Sequence, residues 1–226
     1  MTTIGDNLQS VRTRIATACA AAGRNAASVA LLAVSKTFGP EAVREAHAAG
    51  QTAFGENYIQ EAVEKIALLR DLPLQWHCIG PIQSNKTRLV AEHFDWVQSI
   101  DRLKIAQRLD AQRPDGRAPL QVCIQVNTDG GPTKAGIAPQ EVAALAAEIR
   151  RLPRLRLRGL MTIPEPAPDF AAACALHARA RALFDALNAD GLGLDTLSMG
   201  MSGDLDAAIQ AGSTMVRVGT AIFGQR

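Results

Sequence analysis

Two groups of residues in this chain have the side chains and spacing to do chemistry. The first is Lys36, which follows directly on the apolar run Val29-Ala-Leu-Leu-Ala-Val34 and Ser35. A lysine set beside apolar surface can lose its proton and attack a carbonyl carbon. An isolated lysine is more often a solvated residue at a strand end, so Lys36 needs support from elsewhere. The second group lies late in the chain: Ser198-Met-Gly-Met-Ser202 and Arg217-Val-Gly219-Thr220. Ser198, Ser202 and Thr220 offer hydroxyl donors, and Gly219 lets the backbone come close to a ligand. Ser202-Gly203-Asp204 reads as the start of a short helix, whose free N–H groups suit an anion. The competing reading is an ordinary Ser or Asp cap with glycine turns.

These residues need elements that bring residue 36 near residues 198–220. A continuous apolar run reads as a strand buried on both faces, as in parallel sheets. Strands are expected at 29–35, 52–55, 74–79, 95–98, 120–126, 155–161, 194–198 and 214–218. Between them come helices at 40–49, 58–70, 84–91, 101–111, 139–151, 170–189 and 204–211. Pro40 suits a first helical turn, Ser84 or Asn85 a cap, and Asp101 another cap. Strict alternation argues for a parallel sheet, and eight strands in a chain of 226 residues argue for a closed (β/α)8 TIM barrel. Residues 1–226 then form a single domain. An open doubly wound sheet is the alternative, but no G-x-G-x-x-G follows the first strand.

An additional helix is expected over 4–22, with Ile4, Leu8, Val11, Ile15 and Ala18 on one face and Gly23 as its stop. No helix is expected after strand eight, and this N-terminal helix is placed to cover the gap. Barrel chemistry gathers at the C-terminal strand ends, and barrels bind phosphate beyond strands seven and eight. The other strand ends are Gly55-Glu56-Asn57, His77, Gly80, Ser99, Asn127 and Met161-Thr162.

Composition narrows the possibilities. Hydrophobic residues make up 47% and charged residues 20%, as in an ordinary globular protein. The net charge of +2 and the scattered Lys and Arg residues give no nucleic-acid-binding stripe. Cys19, Cys78, Cys123 and Cys174 are too far apart for a zinc site or a disulfide framework, so buried free thiols are expected. Asp204 and Asp206 lack the partners of a metal site. Arg154, Arg156 and Arg158 read as solvated, and Trp76 and Trp96 as core or rim. No signal peptide and no apolar run of ~20 residues is visible, so no membrane contact is expected and the compartment expected is the cytoplasm.

Arg217 ends strand eight and should point into the mouth. A lysine across the barrel from a phosphate site makes a phosphorylated aldehyde the natural ligand, and pyridoxal 5'-phosphate (PLP) fits that description. With this in view, the chain resembles the pyridoxal-phosphate homeostasis, or PLP-binding, protein family from about Asn7 to Phe223. The resemblance rests on Leu32-Ala-Val-Ser-Lys-Thr37, Phe54-Gly-Glu-Asn-Tyr58, Trp76-His-Cys-Ile-Gly-Pro-Ile-Gln-Ser-Asn-Lys86 and Gln125-Val-Asn127. It continues through Thr133-Lys-Ala-Gly136, Arg158-Gly-Leu-Met161, Leu197-Ser-Met-Gly-Met-Ser202 and Val216-Arg-Val-Gly-Thr-Ala-Ile-Phe-Gly224.

The resemblance implies that Lys36 carries PLP as a Schiff base and that Ser202, Gly219 and Thr220 hold its phosphate, with Ser198 and Met199 close by. It implies that Arg217 faces the pyridine nitrogen, as in the related fold-type III racemases, and that Asn57 and His77 lie near the ring. The family often has a second basic residue two positions after the lysine. Here Phe38 stands there, while Lys134 is retained.

An arginine does not readily give up its proton, so it leaves the pyridine nitrogen unprotonated and the ring a weaker electron sink. A racemase also needs an opposing acid–base residue, typically a tyrosine from another domain. Tyr58 is the single tyrosine, and it stands at the head of a helix. The residues therefore suit holding PLP better than turnover, and the resemblance implies a PLP carrier in vitamin B6 and amino-acid homeostasis, expected as a monomer with PLP-requiring apo-enzymes as partners. No catalytic residue and no metal are assigned. A weak racemase is the alternative, a Schiff-base aldolase the third reading, and an interaction scaffold the fourth.

Overall fold

Thr3 starts the first helix with a capping box. Its hydroxyl accepts from Asp6 N, and the Asp6 carboxylate accepts from Thr3 N. Helix α1 (Ile4–Ala21) buries Leu8, Val11, Ile15, Ala18 and Cys19 along one stripe, and the chain leaves it through Gly23 at φ 65°. The computed structural model describes residues 2–130 and 135–224.

The strands are β1 (Ala30–Val34), β2 (Ala53–Glu56), β3 (Gln75–Cys78) and β4 (Trp96–Ile100). They continue with β5 (Leu120–Gln125), β6 (Leu155–Met161), β7 (Thr196–Ser198) and β8 (Met215–Val218). All pair in parallel, and β8 returns to β1 with Ala30 opposite Met215, closing the barrel. The outer ring is α2 (Pro40–Ala48), α3 (Ile59–Leu68), α4 (Thr87–His93), α5 (Leu103–Gln112), α6 (Val142–Ile149), α7 (Phe170–Ala189) and α8 (Leu205–Gln210).

Side chains alternate between two environments along each strand. Ala33, Phe54, Trp76, Cys78, Val97, Val122, Leu160, Leu197 and Val216 join the apolar layer beneath the helices. Their strand neighbours turn inward. Leu32, Val34, Ile79 and Met215 form one small interior cluster, and Trp96, Cys123 and Met161 another. The remaining interior is polar: His77, Gln98, Ser198 and Arg217 are all buried there.

Three expectations change. A one-turn helix, α9 (Thr220–Phe223), does follow β8. α1 packs on α8, α9 and α2, so it fills the outer ring as expected but over a stub instead of a gap. Asp101 is not a helix cap: β4 runs on through Ile100, α5 starts from Arg102, and Asp101 pairs with the Arg102 guanidinium at 2.7 Å. Before α4, residues 84–86 form a 3-10 turn that neither Ser84 nor Asn85 caps. Cys19, Cys78 and Cys123 are buried free thiols and Cys174 is half-buried. No helix among the described residues is long and apolar enough to cross a membrane.

Candidate functional site

The C-terminal strand ends surround a cavity of about 700 Å³, within the range of small-molecule sites. Lys36, Asn57, Ser202, Arg217, Gly219 and Thr220 all line it. The other expected residues do not. His77 and Ser198 are fully buried below the cavity, and Met199 belongs to the outer apolar layer.

On the β1–β2 side the backbone around Lys36 is held from both directions. Lys65 on α3 donates its Nζ to the Ser35 carbonyl at 2.9 Å, to Glu56 at 2.7 Å and to Glu61 at 3.2 Å. Ser35 Oγ donates to Glu56 Oε1 at 2.6 Å, and Thr37 N donates to Glu61 Oε1 at 2.7 Å. Burial pushes the Glu56 carboxyl above its usual range, while the Lys65 ammonium and the Ser35 hydroxyl pull it back. Thr37 is the only non-glycine residue with a positive φ, 66°, among those described. For a β-branched residue that conformation costs about 1–2 kcal/mol. Lys36 Nζ itself has no hydrogen-bond or ion-pair partner among the described residues.

Asn57 follows β2, and its Oδ1 is buried without a partner. Gly80 permits this placement, because a Cβ there would lie 2.2 Å from the Asn57 carbonyl oxygen.

The opposite wall is made by the turns after β7 and β8. Gly200 has φ 94°, and a Cβ there would sit 2.5 Å from Ala208 Cβ. That glycine lets the turn fold back on α8. Asp204 caps the turn more than the helix: its Oδ1 accepts from Met201 N at 2.7 Å, and its Oδ2 pairs with His177 Nε2 at 2.9 Å. Burial works against the Asp204 charge, but the hydrogen bonds from His177 and Met201 outweigh it and lower the carboxyl's pKa. Among the described residues the N–H groups of Ser202 and Gly203 have no acceptor. In α9 the N–H groups of Thr220 and Ala221 have no acceptor among the described residues either, while those of Ile222 and Phe223 bond to the Gly219 carbonyl.

Sequence reasoning missed what fixes this wall. Arg14 on α1 donates to the Ser202 carbonyl at 2.7 Å and forks onto Asp206 at 3.0 and 3.1 Å. Asn7 Nδ2 donates to the Ile222 carbonyl at 2.9 Å. The extra helix thus braces both turns.

Arg217 is 3% exposed. Its Nη1 donates to Ser198 Oγ and its Nη2 to the Thr162 carbonyl, each at 2.8 Å. No carboxylate among the described residues pairs with it. Burial lowers its pKa to about 10, with partial relief from the Asp204 charge, so it stays a cation near neutrality. Ser198 Oγ donates on to Gln98 Oε1 at 2.6 Å. Gln98 Nε2 meets His77 Nδ1 at 2.9 Å, and His77 Nε2 meets Gln75 Oε1 at 3.0 Å. His77 stacks on Trp96 with ring centroids 5.0 Å apart, and burial depresses its pKa to about 3. Arg158 is not simply solvated: it lies 4.8 Å over the Trp96 ring and pairs with Asp195 at 2.7 Å. At the rim Phe38 stacks on Phe223 at 5.1 Å, where a second basic residue would otherwise stand. Lys134 lies outside the described residues.

Residues 7–226 match the family described as alanine racemase, N-terminal domain. A pyridoxal phosphate homeostasis protein of Pseudomonas aeruginosa PAO1 is 62% identical over 226 residues, covering 100% of this chain and 97% of the relative. The protein of that description from Escherichia coli K12 is 51% identical, covering 100% and 98%. PipY of Synechococcus elongatus PCC7942, solved with PLP bound, superposes with a TM-score of 0.85 at 40% identity, covering 98% of this chain and 100% of PipY. An alanine racemase of Clostridium difficile 630 shares the fold alone, with a TM-score of 0.74 and 15% identity over 98% of this chain and 57% of the racemase.

Proposed function

The chain belongs to the family of pyridoxal phosphate homeostasis proteins, and from that membership we propose that it binds PLP at the barrel mouth and serves to hold and release it. The observation that carries this reading is that one cavity is lined by Lys36, whose Nζ has no partner among the described residues, and by a buried Arg217 that no carboxylate among them pairs with. The residues present fit the cofactor: a primary amine, a fixed cation, an unsatisfied amide oxygen on Asn57 and a hydroxyl-lined turn each match one part of it.

When bound, PLP supplies a reactive aldehyde and an electron-withdrawing ring. In this reading Lys36 Nζ would be the residue that holds the aldehyde end. Arg217 donates a hydrogen bond to the ring nitrogen and keeps its proton. Ser202, Gly203, Gly219 and Thr220 receive the phosphate through hydroxyl and N–H donors, and Asn57 faces the ring. Met199, Ser198 and His77 make no direct contact and support the wall and floor.

Holding is favoured over turnover by two features. Arg217 leaves the ring nitrogen unprotonated, which weakens its pull on a carbanion. A racemase sets a tyrosine opposite its lysine, whereas Tyr58, the single tyrosine here, is 54% exposed at the head of α3. The role is then vitamin B6 and amino-acid homeostasis by a cytoplasmic monomer, with PLP-requiring apo-enzymes as recipients. The match to a racemase domain favours one second reading, a weak PLP-dependent racemase.

The test is the absorbance spectrum of PLP-loaded protein before and after borohydride, followed by peptide mapping. The expected result is a yellow protein, bleached by borohydride, with the label on Lys36. A colourless protein, or a label elsewhere, overturns the reading. Steady α-proton exchange from an amino acid, abolished by Lys36→Ala, would move the protein to the enzyme reading.

A further inference from the structure

We infer that Ser198, Gln98 and His77 are positioning residues, forming a one-directional hydrogen-bond chain through the barrel interior that fixes Arg217 as a charged donor toward the ligand in the mouth. The inference rests on the mouth being the cofactor site.

Donor and acceptor counting sets the direction. A guanidinium can only donate. Ser198 Oγ must therefore accept from Arg217 Nη1, and it spends its single proton on Gln98 Oε1. Gln98 then has only its amide N–H to offer, and His77 Nδ1 must be the bare acceptor. His77 carries its proton on Nε2 and donates to Gln75 Oε1 at the opposite end of the barrel. The tautomer of His77 is thus dictated by an arginine three side chains away. A proton on His77 Nδ1 would set two donors against each other at Gln98, and the conflict would pass back to Arg217.

The chain also explains a polar barrel interior that packing alone does not require. Apolar side chains fill that space elsewhere in this barrel, as in Leu32, Val34, Ile79 and Met215. Among the described residues every acceptor offered to Arg217, Ser198 Oγ and the Thr162 carbonyl, is uncharged. Neutral acceptors fix the guanidinium plane without neutralising it, so its charge stays available to a lone pair above. A carboxylate in the place of Ser198 would draw that charge away from the mouth.

The test compares wild type with Gln98→Met, which keeps the length and removes both polar ends. In cofactor-free protein, nitrogen-15 NMR is expected to show the Nε2–H tautomer of His77 and slowly exchanging Arg217 Nη protons. Gln98→Met should release those protons to solvent exchange and weaken PLP binding roughly tenfold or more. That loss should shrink to within about twofold in an Arg217→Met background. Unchanged Arg217 signals, or a full loss of affinity in the Arg217→Met background, overturns the inference by making Gln98 a packing residue. Ser198→Ala carries the same expectations if Gln98→Met does not fold. Should wild type bind no PLP, the proposed function fails, and the Arg217 signals of the cofactor-free protein still decide the chain.

Discussion

Lys36 and Arg217 face the same cavity, yet the first is gripped by its backbone and the second by its head group. Around Lys36 the restraints are charged. Lys65, Glu56 and Glu61 pin Ser35 and Thr37 and leave the Nζ itself alone. Around Arg217 the restraints are neutral dipoles that act on the guanidinium. Under the proposed function the difference follows from what each group would be asked to do. An amine that forms and releases a covalent bond needs a fixed origin and a free tip. A cation that only donates a hydrogen bond needs a fixed tip and no competing anion.

Breaking the charged grip should have the largest effect. Glu56 and Lys65 are 0% and 3% exposed, and Lys65→Met leaves the carboxylate buried without its counter-charge. A loss of about 3–5 kcal/mol in urea unfolding is expected. The double variant Glu56→Leu/Lys65→Met should recover much of that stability, because a buried pair can be replaced by apolar packing at little cost. PLP capture by the double variant should remain slower, since Ser35 loses both its ties and Glu61 is left as the one anchor on Thr37. Capture at the wild-type rate would show that the clamp serves stability alone.

The neutral grip should answer to acid. His77 is buried uncharged, with a pKa near 3 against 6.5 for the free side chain. Between those values the unfolded chain binds more protons than the folded one, so stability falls as pH drops below about 6.5. The loss from this group is roughly 2 kcal/mol by pH 5. His77→Leu should flatten the unfolding midpoint over that window relative to wild type, and a parallel profile would mean that His77 titrates freely.

The smallest effect belongs to a brace outside both grips. Arg14 is partly exposed, at 38%, as is Asp206 at 40%, so Arg14→Ala should cost about 1 kcal/mol or less in a thermal melt. Its expected signature is selective: inorganic phosphate should protect the mouth less well, while borohydride labelling of Lys36 is retained.

The barrel was legible because alternating strands and helices leave few topologies, and the two ends of the chain point to one cavity only when that barrel closes. Parts of the site were less legible for identifiable reasons. Glu61 and Lys65 stand four apart on a helix, the spacing of a solvated pair, and only the seating of α3 against β1 and β2 buries the lysine. Gln98 lies inside the apolar strand Trp96–Ile100, where a lone amide gives no periodic signal of its own. His77 looked like a ligand contact because it stands near a strand end, but the inward turn of β3 places it beneath the floor. α9 is a single turn, too short for any periodicity. Arg14 carried no mark, because its partner lies 192 residues away.

That last separation bears on how the molecule is assembled. Asn7 meets the Ile222 carbonyl across 215 residues, and Arg14 meets Ser202 across 188. Contacts so distant along the chain form late, because the loop they close is large. During synthesis the first helix is made before any surface it belongs on exists. It can meet α2 early, but its seat on α8 and α9 forms only when β8 has joined β1 and the last turns are in place. The wall made by the turns after β7 and β8 is therefore braced last, and a nascent chain that already displays Lys36 has no finished wall opposite it.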